Sequence, residues 1–145
     1  MPRQNRVSLR LGLLLRQAHR RTAGAVDDAL APLGLTGKHV GVLMIIDRDG
    51  YSTQRDLIRE TGSDKAGMVR TVEDLEGRGY LSRTRSTTDR RVSELTLTAA
   101  GRAAFETAKR QAGAVVRDLV APFTQAELDT LEALLTRFVD AGRQP

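Results

Sequence analysis

Arginine is concentrated in one short stretch of the sequence, residues 78–91, and this composition is typical of a surface that binds anions. The basic side chains there are Arg78, Arg83, Arg85, Arg90 and Arg91, opposed by a single acid, Asp89. Residues 124–140 have the reverse balance, with Glu127, Asp129, Glu132 and Asp140 against Arg137. Guanidinium groups bind phosphates well, and the chain has a net charge of +5. A polyanionic partner is therefore predicted, and a merely solvated basic hairpin is the alternative.

The residue pattern does not support metal binding, thiol chemistry or catalysis. The chain has two histidines and no cysteine, which predicts no metal site, disulfide, thiol switch or cofactor. Asp47-Arg48-Asp49-Gly50 has the start of a calcium loop but lacks the later acids and the closing glutamate. No glycine-rich phosphate loop or nucleophile elbow occurs. We expect a protein that is not an enzyme.

The chain length and the lengths of its apolar runs limit the number of domains and the possible location of the protein. A chain of 145 residues suits one domain with its own core. No apolar run is long enough for a membrane span, and residues 1–6 do not read as a secretory signal. We therefore expect a single cytoplasmic chain with no membrane partner.

Apolar spacing and capping residues predict six helices and one hairpin. A first helix is expected over residues 7–33, ended by Pro32 and Gly34. Three shorter helices follow, beginning after Thr36, at Ser52 or Thr53, and after Ser63 or Asp64. Alternating strands over 80–85 and 92–97 flank a loop at 86–91. Two more helices follow, capped by Thr98 and Thr124.

This order of elements is that of a winged helix-turn-helix, so the predicted fold class is mainly α with a small β-hairpin wing. The last helix carries six large hydrophobic residues: Leu128, Leu131, Leu134, Leu135, Phe138 and Val139. One small domain cannot cover this surface together with that of the first helix, so the terminal helices are expected to form a dimerisation region. Two-fold symmetry would place two recognition helices in major grooves about 34–36 Å apart.

Several fragments, at the expected separations, resemble the MarR family of bacterial regulators over nearly the whole chain. The most specific is Asp89-Arg90-Arg91 followed by Leu97-Thr98-Ala99-Ala100-Gly101, with Thr53-Gln54 and Leu75-Glu76-Gly77-Arg78-Gly79-Tyr80 upstream. The resemblance implies a homodimer paired through residues 7–33 and 99–143, with residues 36–98 binding double-stranded DNA. It implies a transcriptional regulator, expected to be a repressor on a pseudo-palindromic operator. Many members release DNA when a small, often aromatic and anionic, molecule binds.

In this scheme the fourth helix enters the major groove and exposes Ser63, Asp64, Lys65, Ala66, Gly67 and Arg70 at its beginning. Arg70 is expected to meet a base edge or a phosphate, and Lys65 a phosphate. Asp64 is interpreted as a helix cap, with a hydrogen bond to a cytosine as the alternative. Gly67, in place of the family's small polar residue, has two explanations, close approach to DNA or sequence drift.

The wing is expected to insert Arg90 and Arg91 into the minor groove, with Asp89 orienting one of them by a charge-assisted hydrogen bond. Arg83 and Arg85 share one face of the first strand and are expected to meet phosphates. Thr53 and Gln54, at a helix N-terminus, suit a phosphate as well. Arg3, Arg6 and Arg10 either extend the basic surface or form a frayed tail.

A ligand site is less clearly marked. Arg16 and His19 lie together at the edge of the first helix's apolar stripe, and His39 is placed to join them around an anionic ligand. The alternatives are three surface residues and a regulator that senses no ligand. A winged helix that has become a protein–protein interaction module is a further alternative, which the retained arginines disfavour.

Overall fold

The computed structural model describes residues 3–143, with side chains from Leu9 onward. The helices and strands follow the predicted order: α1 Arg3–Leu30, a 3₁₀ turn Ala31–Leu33, α2 Gly37–Asp49, α3 Gln54–Thr61, α4 Lys65–Gly77, β1 Leu81–Arg85, β2 Ser93–Leu97, α5 Ala99–Val120 and α6 Gln125–Ala141. The predicted fold class is confirmed. Among these residues no single helix is long and apolar enough to cross a membrane, and only the bent pair Leu9–Leu33 and Gly37–Asp49 passes that test together.

The helix boundaries follow from local capping, as predicted. Thr53, Asp64, Thr98 and Thr124 each accept a hydrogen bond from the backbone N–H three residues later. Gly62, with φ of 69°, ends α3 in a left-handed conformation that glycine adopts without strain. The first helix differs from its predicted range, because residues 3–6 carry no apolar pattern to mark its start. Its predicted last turn is the 3₁₀ segment.

The hairpin has one connection that the sequence did not predict. Strands β1 and β2 pair antiparallel, with Leu81 opposite Leu97 and Arg85 opposite Ser93. Ser52, predicted as a possible helix start, instead forms an isolated bridge to Leu95, with N–H···O distances of 3.0 and 2.7 Å. The bridge ties the segment before α3 to the wing.

The core is formed by the helix-turn-helix and the base of the wing, together with the end of α1 and the first half of α5. It contains Leu30, Leu35, Val42, Leu43, Ile46, Leu57, Met68, Val72, Leu75, Leu81, Leu95, Phe105 and Ala108. Helix α5 packs against α1 and α2, whereas α6 has no buried residue. The predicted apolar stripe of α1 is largely exposed at its beginning, including Leu11 and Leu14. Much of the apolar surface of the terminal helices is thus left uncovered by the rest of the described chain.

Candidate nucleic-acid interface

Helix α4 has one buried and one exposed face. Met68, Val72 and Leu75 pack into the core, whereas Arg70 is exposed on the opposite face and Lys65 is exposed at the first residue of the helix. Within the described residues neither side chain forms an ion pair. The face predicted to enter the major groove is therefore available to an anion.

Asp64 has the capping role that the sequence favoured. Its Oδ1 accepts a hydrogen bond of 2.7 Å from the N–H of Gly67, and this bond holds the pKa of the carboxyl below its usual range. Gly67 is the third residue of α4, so it lies in the first turn and not in the middle of the helix. A Cβ there would lie 3.2 Å from Asp64 Oδ2, so a glycine leaves room for the capping carboxylate.

The turn before α4 is bonded internally. The Oγ of Ser63 lies 3.0 Å from Thr61 Oγ1, and Ala66 is exposed in the first turn of α4. Thr53 caps α3 through a bond of 3.1 Å from the N–H of Asp56. The Thr53 hydroxyl, which was predicted to contact a phosphate, therefore already accepts a hydrogen bond from its own helix.

Gln54 and Arg83, both predicted to meet phosphates, are bonded to each other. The Arg83 guanidinium donates to Gln54 Oε1 at 3.2 Å and to Glu76 Oε1 at 2.7 Å. The hydrogen bond that Arg83 donates to the Glu76 carboxylate raises the pKa of Arg83. The three residues join α3, α4 and β1, a juxtaposition that the sequence did not predict.

The wing exposes three arginines, and the role of Asp89 at its tip differs from the prediction. Arg85, Arg90 and Arg91 are exposed. The Asp89 carboxylate accepts a bond of 3.0 Å from the backbone N–H of Arg91, whereas the predicted bond to a guanidinium is absent from the described residues. A short side chain that bonds the backbone two residues on stabilises a turn, so Asp89 shapes the loop that carries both arginines.

The base of the wing is attached to α5 by a close backbone contact. Thr98 donates from its N–H to Tyr80 O at 3.1 Å and from its hydroxyl to Gly79 O. A Cβ on Gly101 would lie 2.0 Å from Tyr80 O. The Leu-Thr-x-x-Gly fragment noted in the sequence thus has a packing role: only glycine lets α5 begin against the wing.

Comparisons of the sequence and of the structure with known proteins both find transcriptional regulators. A family model described as the MarR family matches residues 33–92. A solved structure of a probable transcriptional regulator from Pseudomonas aeruginosa is 33% identical, with coverage of 88% of this chain and 95% of that chain and a TM-score of 0.77. The chain belongs to the MarR family. It is a DNA-binding transcriptional regulator with a winged-helix fold, and regulators of this family are generally not enzymes.

Two further relatives extend over most of this MarR-family chain. A MarR-family regulator from Rhodococcus sp. RHA1 is 26% identical, with coverage of 91% of this chain and 94% of that chain and a TM-score of 0.85. The uncharacterized HTH-type transcriptional regulator YwhA of Bacillus subtilis is 26% identical, with coverage of 77% of this chain and 81% of its own length. The similarity therefore includes the terminal helices as well as the winged helix.

The three residues predicted to hold a ligand in this MarR-family chain have different surroundings. Arg16 and His19 are exposed on α1. The His39 side chain is 13% exposed, with Nε2 2.7 Å from Asp74 Oδ2 and Nδ1 accepting from the Thr36 N–H at 2.9 Å. Because both ring nitrogens have partners within the subunit, His39 joins α2 to α4 and is not open to a ligand. Arg3 and Arg6 lie outside the described side chains, and Arg10 is exposed.

Proposed function

We propose that this chain represses transcription by binding a pseudo-palindromic operator as a homodimer, and that a small ligand releases it. Residues 36–98 form the DNA-binding region, and residues 7–33 and 99–143 pair the subunits. The observation that carries the proposal is the exposed face of α4, with Lys65 and Arg70, next to a wing that exposes Arg85, Arg90 and Arg91. A protein 26% identical, a mutant MarR from Escherichia coli, has been solved with operator DNA, with a TM-score of 0.77.

The uncovered apolar surface supports pairing of two copies. Leu134 and Phe138 of α6 are 50% and 62% exposed. A groove of about 600 Å³ between α5 and α6 is lined by apolar side chains that include Val116, Val120 and Leu131. Apolar patches of this kind mark protein–protein contacts, and a closed two-fold pair is the commonest solution.

Sedimentation of a Phe138→Glu variant tests the pairing. A buried, unpaired carboxylate in an apolar interface is costly, so this variant is expected to sediment as a monomer where wild type is a dimer. Ala133→Glu, on the opposite side of α6, adds the same charge and serves as the control. Dimers in both variants would contradict the assignment of α6 to the interface.

DNA binding is tested on duplexes selected from a random pool by wild-type protein and measured by fluorescence anisotropy. Affinity should survive nonspecific competitor and fall steeply with salt. Arg90→Ala/Arg91→Ala is expected to weaken binding at least tenfold, by loss of minor-groove contacts worth about 1–3 kcal/mol. Lys109→Ala/Arg110→Ala removes two charges from α5 and is the control. Failure to select any duplex would favour a protein–protein interaction module.

Ligand release draws its support from two relatives. CouR from Rhodococcus jostii RHA1, 27% identical with a TM-score of 0.80, has been solved with p-coumaroyl-CoA. BpsR from Bordetella bronchiseptica, 27% identical with a TM-score of 0.79, has its DNA binding regulated by 6-hydroxynicotinic acid. For this chain we propose an aromatic anion contacted by Arg16 and His19.

A thermal-shift screen of aromatic acids tests the ligand proposal, because a ligand of the folded state raises the melting temperature. Hits should lower DNA affinity, and Arg16→Ala or His19→Ala should abolish the shift. If no acid stabilises the protein or releases DNA, the chain is a ligand-independent regulator.

A further inference from the structure

Arg83, in the first strand of the wing, donates hydrogen bonds to two residues of the same chain. Its Nη1 and Nη2 each donate to Gln54 Oε1 at 3.2 Å. Nη2 also donates to Glu76 Oε1 at 2.7 Å, and Nε donates to Glu76 Oε2 at 3.4 Å. Four of the five N–H donors that a guanidinium has are therefore used inside the subunit.

The chemistry of these bonds fixes the orientation of Gln54. A guanidinium has donors and no acceptor, so the Gln54 atom that faces it must be the carbonyl oxygen. The amide nitrogen of Gln54, at the start of α3, is left to donate to another acceptor. Backbone N–H groups at a helix N-terminus favour anions in the same place, so a phosphate oxygen is the matching acceptor.

The geometry also connects the two DNA-reading elements. Glu76 lies in the last turn of α4 and Arg83 in the middle of β1. A fork-to-carboxylate contact restricts orientation as well as distance. The pair therefore links the end of the recognition helix to the first strand of the wing.

We propose that Arg83 is a positioning residue, which aligns the wing with α4 and holds the Gln54 amide toward a DNA phosphate, and is not itself a phosphate ligand. This inference rests on the proposed operator binding and replaces the expectation from the sequence. It assigns the phosphate contact at this point to Gln54. Arg85, whose side chain is exposed further along the same strand, keeps its predicted phosphate contact.

The direction in which DNA affinity changes when the Glu76 carboxylate is removed distinguishes the two roles considered for Arg83. If Arg83 were a phosphate ligand, Glu76→Ala would free it and remove a repelling carboxylate, so DNA binding would strengthen. If Arg83 positions Gln54 and the wing, Glu76→Ala weakens binding by roughly three- to tenfold, the range of a coupled surface network. Glu73→Ala is the matched control, because Glu73 is an exposed acid of the same helix near Arg83. It is expected to leave binding unchanged or slightly stronger.

The salt dependence of binding gives a second readout in the same titrations. A lost phosphate contact reduces the slope of log K against log salt by about 0.9 per subunit. Arg83→Gln is expected to weaken binding while changing the slope less than that, and Arg83→Lys, which keeps the charge but not the fork, should fail to restore affinity. Full rescue by lysine, or a slope reduced by the whole amount, would overturn the inference.

A measurement without DNA separates this inference from the proposed operator binding. The chain has no cysteine, so a Thr87→Cys substitution at the wing loop accepts a single nitroxide label in an otherwise unchanged protein. We expect the spectrum to show a more mobile label in Glu76→Ala and Arg83→Lys than in Glu73→Ala, with melting temperatures that remain close to each other. Equal mobility in all three would refute the wing-positioning role even where wild-type protein binds its operator.

Discussion

Gly101, in the first turn of α5, lies against the backbone of Tyr80 at the base of the wing. A Cβ built at this position would be 2.0 Å from Tyr80 O, 2.8 Å from its carbonyl carbon and 3.0 Å from its Cα. Ordinary van der Waals contacts of a Cβ lie at 3.4–4 Å, so α5 would have to move by more than about 1 Å. Thr98 resists this movement, because its N–H and hydroxyl bond Tyr80 O and Gly79 O. Phe105 and Ala108, buried one and two turns later, resist it as well.

Gly101→Ala should therefore destabilise the protein although alanine is the better helix former. Helix propensity alone predicts a gain of about 1 kcal/mol. Overpacking costs about 1–3 kcal/mol, and each strained Thr98 hydrogen bond loses about 1 kcal/mol. We expect the free energy of unfolding to fall by about 3 kcal/mol when these effects act together.

Urea denaturation at a fixed protein concentration measures this change, since the pairing of two copies proposed above would make stability depend on concentration. Gly41→Ala, inside α2, is the control because a Cβ there meets nothing within 4 Å. That variant should gain up to about 1 kcal/mol. A Gly101→Ala protein as stable as wild type would refute the packing argument.

Three other substitutions test the contacts of the winged helix. His39→Ala removes the N-cap bond to Thr36 and the link to Asp74 and should cost about 2 kcal/mol of unfolding free energy in urea, whereas exposed Lys38→Ala should cost little. Gln54→Glu keeps an acceptor for Arg83 but loses the amide donor and adds a negative charge. Fluorescence anisotropy should therefore show at least tenfold weaker DNA binding. Unchanged affinity would mean that Gln54 does not contact a phosphate. Asp64→Ala lowers the melting temperature above pH 5 because the pKa of the folded carboxyl is depressed by the Gly67 N–H. The difference from wild type should vanish as the pH falls through that lowered pKa, when the carboxylate becomes protonated.

Local signals in the sequence were sufficient for the elements and their order. Thr98 and Thr124 cap the helices that follow them, and the alternation after Gly79 gives the hairpin. These features depend on neighbours within about four residues along the chain, the range over which capping and periodicity act. The same range explains why the start of α1, which lacks an apolar pattern, was predicted too late.

The partners of the charged residues required the tertiary structure. Arg83 meets Gln54 from 29 positions away, and His39 meets Asp74 on a different helix. No periodicity encodes such pairs, because they depend on how packed elements bring distant side chains within hydrogen-bond reach. The arginine-rich stretch by itself predicted an anionic partner for this protein. Only the tertiary contacts decided that Arg83 is bonded to Gln54 and Glu76, whereas Arg85, Arg90 and Arg91 form no ion pair among the described residues.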